Sequence, residues 1–184
     1  MAQPSPDYFL AIPEREKYIQ DLIQCNIMSV PMMCSVVLPQ MVQRKKGLII
    51  NISSLSALVP TPLMAVYAGS KAFVHKFSED LSMEYEKQGI VVQSVLPGPV
   101  ATNMTKLKKG SWMAPKAEVY VEAVLKKVGI AFYTCGYYPH IILHQVSNFF
   151  FFLVPTMYKS TTLKTMENVR NRAIKKGFYT PATN

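Results

Sequence analysis

The sequence predicts an α/β fold built on a parallel sheet, and three features of the 184-residue chain carry that prediction. Two short runs, residues 48–52 (LIINI) and 90–96 (IVVQSVL), are rich in β-branched side chains and show no regular alternation with polar ones. Such runs read as strands buried on both faces, as in a parallel sheet covered by helices. Between them, the stretch from about 66 to 87 sets Phe73, Val74, Phe77, Leu81 and Tyr85 at three- and four-residue intervals, and Gly89 stands where a helix C′ residue would. The third feature is the Pro97-Gly98-Pro99 punctuation that ends the second run. A strand, helix, strand unit therefore occupies the centre of the chain.

The flanking elements follow from the same periodicities. Residues 14–38 carry an apolar stripe through Tyr18, Ile19, Leu22, Ile23, Ile27, Val30, Met33, Val36 and Val37, which predicts a core-facing helix with Asn26 on its apolar side. Pro31 lacks an N–H and crowds the carbonyl of Ile27, so a kink is expected just after Asn26, and Pro39 lies near the expected end. Residues 102–114 read as a polar, basic loop around the lone Trp112, able to cover a site. A weaker helical pattern through Tyr120, Ala123, Val124 and Val128 precedes Gly129. The stretch 141–158 (IILHQVSNFFFFLVPTMY) is the most apolar of all, marginal in length for a bilayer span and interrupted by His144, Gln145 and Asn148. A buried or interfacial helix is expected there, followed by a basic, polar tail that frays at its end. The expected organisation is a catalytic region over 1–140 and an apolar segment with a basic tail over 141–184, associated with membrane.

Composition narrows the function classes. With hydrophobic types at 49% and charged types at 17%, the chain can bury a core and reads as one globular unit. A formal charge of +9 suits an anionic partner such as a nucleotide, coenzyme A or lipid headgroups. The basic residues scatter as Arg44, Lys45 and Lys46, then Lys106, Lys108 and Lys109, then Lys175 and Lys176, with no nucleic-acid-binding signature, so nucleic acid is not an expected partner. Cys25, Cys34 and Cys135 are odd in number and lack ligand-like spacing, which argues against a disulfide framework or a zinc site. His140 and His144 are four apart but have no third ligand in sequence, so no metal is expected. The first residues carry neither an early positive charge nor an apolar run, unlike a signal peptide.

Chemistry points to Tyr67 and Lys71, whose four-residue spacing places both on one helix face. A phenol is a weak acid near neutrality, and a neighbouring ammonium lowers its pKa. Taken alone the pair also fits an ordinary surface pair. Ser54 lies just past the first strand, at the carboxyl end where sites assemble in open α/β sheets, and could hold a substrate oxygen. A turn or capping role fits Ser54 equally, and Ser53 competes for the assignment.

Asn26, Ser54, Tyr67 and Lys71 match in order and spacing the Asn-Ser-Tyr-Lys tetrad of the short-chain dehydrogenase/reductase family, and Pro97, Gly98, Val100 and Thr102 match its PGxxxT segment. The wording NISSLSALVPTPLMAVYAGSKAFVHKFS, followed by QSVLPGPVATNM, most resembles the branch of 17-beta-hydroxysteroid dehydrogenases and very-long-chain 3-oxoacyl-CoA reductases. The resemblance implies the C-terminal part of a Rossmann-like, doubly wound parallel sheet, with Tyr67 as the general acid. It implies that Lys71 contacts the nicotinamide ribose and lowers the Tyr67 pKa, that Ser54 orients the carbonyl, and that Asn26 holds a water linking Lys71 to solvent. Pro97, Gly98, Val100 and Thr102 would line the nicotinamide of NADP(H), in preference to NAD(H), and the substrate would be a steroid or a 3-oxoacyl-CoA. Residence at the endoplasmic reticulum membrane is implied in the same way.

The chain departs from that pattern in one respect. Its eight glycines, at 47, 69, 89, 98, 110, 129, 136 and 177, are too far apart for a glycine-rich phosphate turn, so the first strands and that turn are expected to be missing. Catalysis by this chain alone is therefore expected to be impaired. The alternative is a non-catalytic binding or membrane-surface protein that retains the tetrad by descent, and His144, Gln145 and Asn148 would also fit a homo-oligomer interface.

Overall fold

The structure, a computed structural model, describes residues 3, 5–105, 107 and 109–182; Lys106 and Lys108 of the central basic run lie outside that set. A helical run comes first: α1 (Arg15–Leu22), a π-helical turn (Ile23–Met28) and α2 (Ser29–Gln43). Then follow β1 (Gly47–Ile52), α3 (Ala65–Tyr85), β2 (Ile90–Val95), α4 (Ala117–Leu125), β3 (Tyr133–Thr134), α5 (Tyr138–Leu153) and α6 (Pro155–Lys175). The three strands pair in the order β1-β2-β3, all parallel, with Gly47 opposite Ile90 through Ile52 opposite Val95.

Strand alternation sorts the core into two faces. Ile49, Ile90 and Val92 point to one face and pack with Cys34 and Leu38 of α2 and Leu81 of α3. Val95 points to the other, where Tyr120 and Val124 of α4 cover it together with partly buried Ile50. Helices thus lie on both faces, the doubly wound arrangement expected. β2 is the central strand, and even its polar residues Gln93 and Ser94 are fully buried. Gln93 donates to the carbonyls of Lys127 and Ala131, and Ser94 meets the His75 ring nitrogen of α3.

β1 is not buried on both faces as its sequence suggested. It is the edge strand of the sheet, and Leu48 and Ile52, on the α4 side, are exposed because α4 reaches only as far as Ile50. β3 was not anticipated, since two residues are too few to show a period.

The kink expected after Asn26 takes the form of the π turn that contains it. The Ser29 N–H reaches back five residues to the Gln24 carbonyl, and the Ser29 hydroxyl donates to the Cys25 carbonyl. The helix also continues past Pro39 to Gln43. Among the described residues, Arg15–Gln43 is the one helical run long and apolar enough to cross a membrane, by length and composition alone. It also packs Cys34 and Leu38 against the sheet.

The apolar stretch 141–158 is not one helix. Pro155 has no N–H and disfavours helical geometry in the residue before it, so Val154 leaves the helix at φ −135°, ψ 62° and α6 starts afresh. The basic, polar tail is helical to Lys175, and residues 176–182 beyond it form no helix. It is tied to the start of the chain at Asp7, a buried carboxylate that accepts from Arg170, from the Tyr179 hydroxyl and from the Tyr8 N–H. Tyr8 in turn donates to Glu167.

The turns that feed β1 and β2 abut each other. Gly89 closes α3 at φ +78°, and a Cβ placed there would lie 2.3 Å from the Lys45 carbonyl oxygen. The left-handed conformation alone costs an L-residue about 1–2 kcal/mol. Gly89→Ala is therefore expected to destabilise the chain by at least about 2 kcal/mol in thermal or denaturant unfolding. A loss below about 0.5 kcal/mol, the ordinary surface range, would show that the turn is not packed as described.

Candidate active site

The parallel ladder of β1 and β2 extends past both strand ends. The Ser53 N–H donates to the Val95 carbonyl at 2.7 Å and the Leu55 N–H to the Pro97 carbonyl at 2.8 Å. The two loops leaving the carboxyl ends of neighbouring strands, one carrying Ser54 and the other Pro97–Thr102, are thereby laid side by side. α3 begins after the first of them and presents Tyr67 and Lys71, one turn apart, toward that end.

Ser53 and Ser54 separate by geometry. Ser53 is buried, and its hydroxyl donates to the Lys71 carbonyl at 2.7 Å, so it anchors α3 to β1. Ser54, in extended backbone, accepts from the Ser56 N–H at 3.2 Å as the cap of the short 3₁₀ turn Leu55–Ala57, and its hydroxyl faces the Tyr67 phenol closely enough to favour the phenol's ionised form. The capping role and the site role therefore coexist in one hydroxyl.

Tyr67 is partly buried against Ile12, Tyr18 and Leu22, the small cluster formed by α1 and the segment before it. Burial pushes its phenol above the ordinary value of 10.0, and the facing Ser54 hydroxyl pulls it part of the way back. Lys71 does not dominate the phenol as its spacing suggested. Its ammonium lies 5.9 Å from the centre of the Tyr67 ring and donates to the Ile52 carbonyl at 3.0 Å. Burial lowers the Lys71 pKa from its ordinary value, with the Cys25 thiol opposing. The arrangement keeps Tyr67 protonated, the form a general acid needs.

Asn26 is buried and reaches α3 through Ser70: its Nδ2 donates to the Ser70 hydroxyl at 3.2 Å, which donates to the Tyr67 carbonyl at 2.7 Å. The π turn thus aims an amide at the first turns of α3. In the second loop, Val100 packs on the Val95, Tyr120 and Val124 cluster, so its side chain holds the loop down. Thr102 faces Thr105, whose hydroxyl donates to the Val100 carbonyl at 2.6 Å and accepts from the Thr102 N–H at 3.1 Å. The Ala101 N–H donates to the Pro115 carbonyl at 2.8 Å, closing the base of the 102–114 loop.

Sequence reasoning missed Ser70 and Thr105, and it weighed Ser53 only as a rival to Ser54 and His140 only as a metal ligand. His140, in the first turn of α5, has no exposed surface. Its Nδ1 accepts from the Gly98 N–H at 3.2 Å, and its Nε2 faces the carbonyls of Pro99 and Met113 at 3.0 and 3.2 Å. His144 instead pairs with Asn148 at 2.9 Å. The two histidines therefore have separate partners, and among the described residues no three His, Cys, Asp or Glu side chains gather as metal ligands.

The site's residues also suit the nicotinamide end of a dinucleotide. The Lys71 ammonium spends one of its three donors on Ile52, leaving others for ribose hydroxyls.

Comparison with known proteins defines the class. The model of the short chain dehydrogenase family matches residues 8–111, more than half of the chain, and the chain belongs to that family. Within it, the chain is 44% identical over 172 residues to the very-long-chain 3-oxoacyl-CoA reductase of Anas platyrhynchos, covering 93% of this chain and 54% of that protein. It is 47% identical over 142 residues to very-long-chain 3-oxoacyl-CoA reductase-A of Danio rerio, covering 77% and 44%. The chain spans about half the length of the curated relatives it matches. Among solved structures it resembles a short-chain dehydrogenase from Sphingobium yanoikuyae in complex with NADPH, at TM-score 0.59 and 30% identity over 69% of this chain and 50% of that one. A short-chain dehydrogenase from Streptomyces avermitilis, at TM-score 0.66 and 19% identity over 88% and 67%, shares the fold.

Burial lowers the pKa of His140 from its ordinary value of 6.5, with backbone hydrogen bonds opposing, and burial also lowers those of His75 and His144. Each binds its proton less readily folded than unfolded, so its contribution to stability is complete above about pH 6.5 and is lost as the pH falls below it. The melting temperature is expected to decline between about pH 6.5 and 5.5, above the range where ordinary carboxylates titrate. A flat melting temperature across that window would contradict the buried, neutral state of these rings.

Proposed function

We propose that the chain carries the nicotinamide-facing, proton-donating part of an NADPH-dependent reductase that converts a 3-oxoacyl-CoA to its 3-hydroxy form. The observation that carries this reading is Tyr67 facing Ser54, with Lys71 one turn along, at the carboxyl ends of two parallel strands. Tyr67 donates its proton to the carbonyl oxygen, and the Ser54 hydroxyl bonds the same oxygen and orients it. The Lys71 ammonium stabilises the phenolate left behind, an effect that strengthens where water is excluded. NADPH, when bound, supplies the hydride to the carbonyl carbon. Asn26, through Ser70, keeps the first turns of α3 in place, and in this reading it would hold a water that links Lys71 to solvent for reprotonation. Pro97, Gly98, Val100 and Thr102 set the loop on which the nicotinamide rests.

The names of the relatives support an acyl-CoA as substrate and the solved neighbour supports NADPH as the dinucleotide; a steroid ketone is the competing substrate. The test joins this chain to the N-terminal half of the Anas platyrhynchos relative and follows NADPH oxidation with a 3-oxoacyl-CoA and with a steroid ketone. Tyr67→Phe is expected to lower turnover by roughly two to four orders of magnitude with little change in melting temperature. Turnover near that of the unsubstituted protein would remove Tyr67 from the role of acid.

A membrane-surface role is supported by the elbow between α5 and α6. Phe149, Phe152, Leu153 and Met157 are exposed there, Phe152 at 89%. Apolar surface in water costs about 25 cal/mol per Å2. Lys159, Lys164, Arg172 and Lys175 lie along α6, where each charge near an anionic surface adds roughly 1 kcal/mol of attraction. Arg170 is already committed to Asp7. Residues 141–184 are thus the segment we assign to a membrane surface, that of the endoplasmic reticulum by resemblance. The full chain is expected to float with anionic liposomes more strongly than a chain ending at Pro139, and equal flotation of the two would remove the assignment.

A further inference from the structure

The loop Pro97–Thr102 has little to hold it from its own sequence. It leaves β2 at Val95, contains two prolines that donate no hydrogen bond, and has at Gly98 a residue with no side chain to pack. One imidazole supplies what the loop lacks. His140 comes from α5, about forty residues on, and meets the Gly98 N–H at 3.2 Å, the Pro99 carbonyl at 3.0 Å and, across the base of the 102–114 loop, the Met113 carbonyl at 3.2 Å. Because Nδ1 accepts from an N–H, the proton of the neutral ring must sit on Nε2, where two carbonyls receive it. An imidazolium would set Nδ1–H against the Gly98 N–H.

The fit is reciprocal. A Cβ at position 98 would lie 2.8 Å from Cδ2 and 3.0 Å from Cγ of His140, so Gly98 is required by the ring as much as the ring is by the loop. The ring is fixed by Tyr120 of α4 and Tyr137, whose ring centres lie 5.5 and 5.4 Å away, and Tyr120 is itself held by its hydroxyl bond to the Cys135 carbonyl at 3.1 Å. The groups on α4, α5 and the β3–α5 turn that meet the imidazole are thus phenols and backbone rather than charges.

We propose that His140 is a positioning residue for the cofactor side of the site: through its neutral, Nε2-protonated imidazole it sets the backbone of Gly98 and Pro99 and joins that loop to Met113 in the neighbouring one. It touches neither substrate nor cofactor and acts through the loop. The inference rests on the reading that Pro97–Thr102 faces the nicotinamide.

The two halves of the imidazole can be removed separately in the full chain. The Oδ1 of His140→Asn overlays Nδ1 and keeps an acceptor for Gly98, whereas the Nε2 of His140→Gln overlays the ring Nε2 and keeps a donor for Pro99 and Met113. Amide exchange and chemical shifts are read by nuclear magnetic resonance in the unsubstituted chain and both variants, with and without NADPH at about millimolar concentration. The Gly98 amide is expected to exchange about tenfold faster in His140→Gln, the worth of one buried hydrogen bond, and to stay protected in His140→Asn. The amides of Ser111 to Ala114 should shift in His140→Asn and not in His140→Gln. A residue that merely fills space would perturb both regions alike in both variants, and that result would overturn the proposal. NADPH-induced shifts at Ala101 and Thr102 are expected in the unsubstituted chain and reduced in both variants. If NADPH moves none of these amides in the unsubstituted chain, the assigned function fails and the positioning role with it, while the Gly98 exchange still reports whether the clamp exists. Should neither variant fold, the nitrogen shifts of His140 in the unsubstituted chain decide: a proton on Nδ1 overturns the proposal.

Discussion

The structure depends first on the parallel pairing of β1 with β2. Parallel strands need a crossover between them, and here the crossover is α3, the helix that bears Tyr67 and Lys71. Because Gly47 pairs with Ile90 and Ile52 with Val95, both strands end at one level, and the ladder runs on through Ser53 to Val95 and Leu55 to Pro97. A slip of one residue would turn Ile49 and Val92 from their shared core toward α4 and carry Ser54 away from the Pro97 loop. Register thus determines both the core and the site.

Around that ladder, buried polar groups fix what packing leaves free. Ser53 bonds the Lys71 carbonyl, Lys71 the Ile52 carbonyl, Asn51 the Ser78 hydroxyl and Asn26 the Ser70 hydroxyl, so α3 is held to β1 and to the π turn along its length. Each such bond contributes only about 1 kcal/mol net, but breaking one strands a buried partner at a cost of about 1–3 kcal/mol. These bonds therefore specify one rotation of α3 about its axis, the rotation that brings Tyr67 to Ser54. Burial raises the phenol and lowers the ammonium, which stores Tyr67 as an acid rather than as a base.

The central unit was legible because each of its parts has its own period: β-branched runs for the strands, three- and four-residue spacing for α3, and Gly89 for the turn. The tetrad was legible as a pattern, but the lysine's effect on the phenol was not, since burial depends on α1 packing against Tyr67. The exposure of Leu48 and Ile52 was hidden because a β-branched run looks alike in a central strand and at an edge. The break at Pro155 between α5 and α6 was not read from the sequence, where 141–158 passes for one helix, and Pro31 and Pro39 lie within a continuous helical run. The role of His140 was not legible, because its partners are backbone groups 27 to 42 residues away and backbone carries no signature in sequence. The one sign was negative: Gly98, where a side chain is missing.

The central claim is that Ser54, Tyr67, Lys71 and the Pro97–Thr102 loop form a seat for nicotinamide. A crystal structure of the chain with reduced nicotinamide mononucleotide tests it most directly, since that ligand carries only the part of the cofactor these residues would hold. The account predicts the ribose within hydrogen-bond distance of Lys71 and Tyr67 and the nicotinamide ring against residues 98–102. Ligand density elsewhere, with the tetrad bare at saturating concentration, would contradict it.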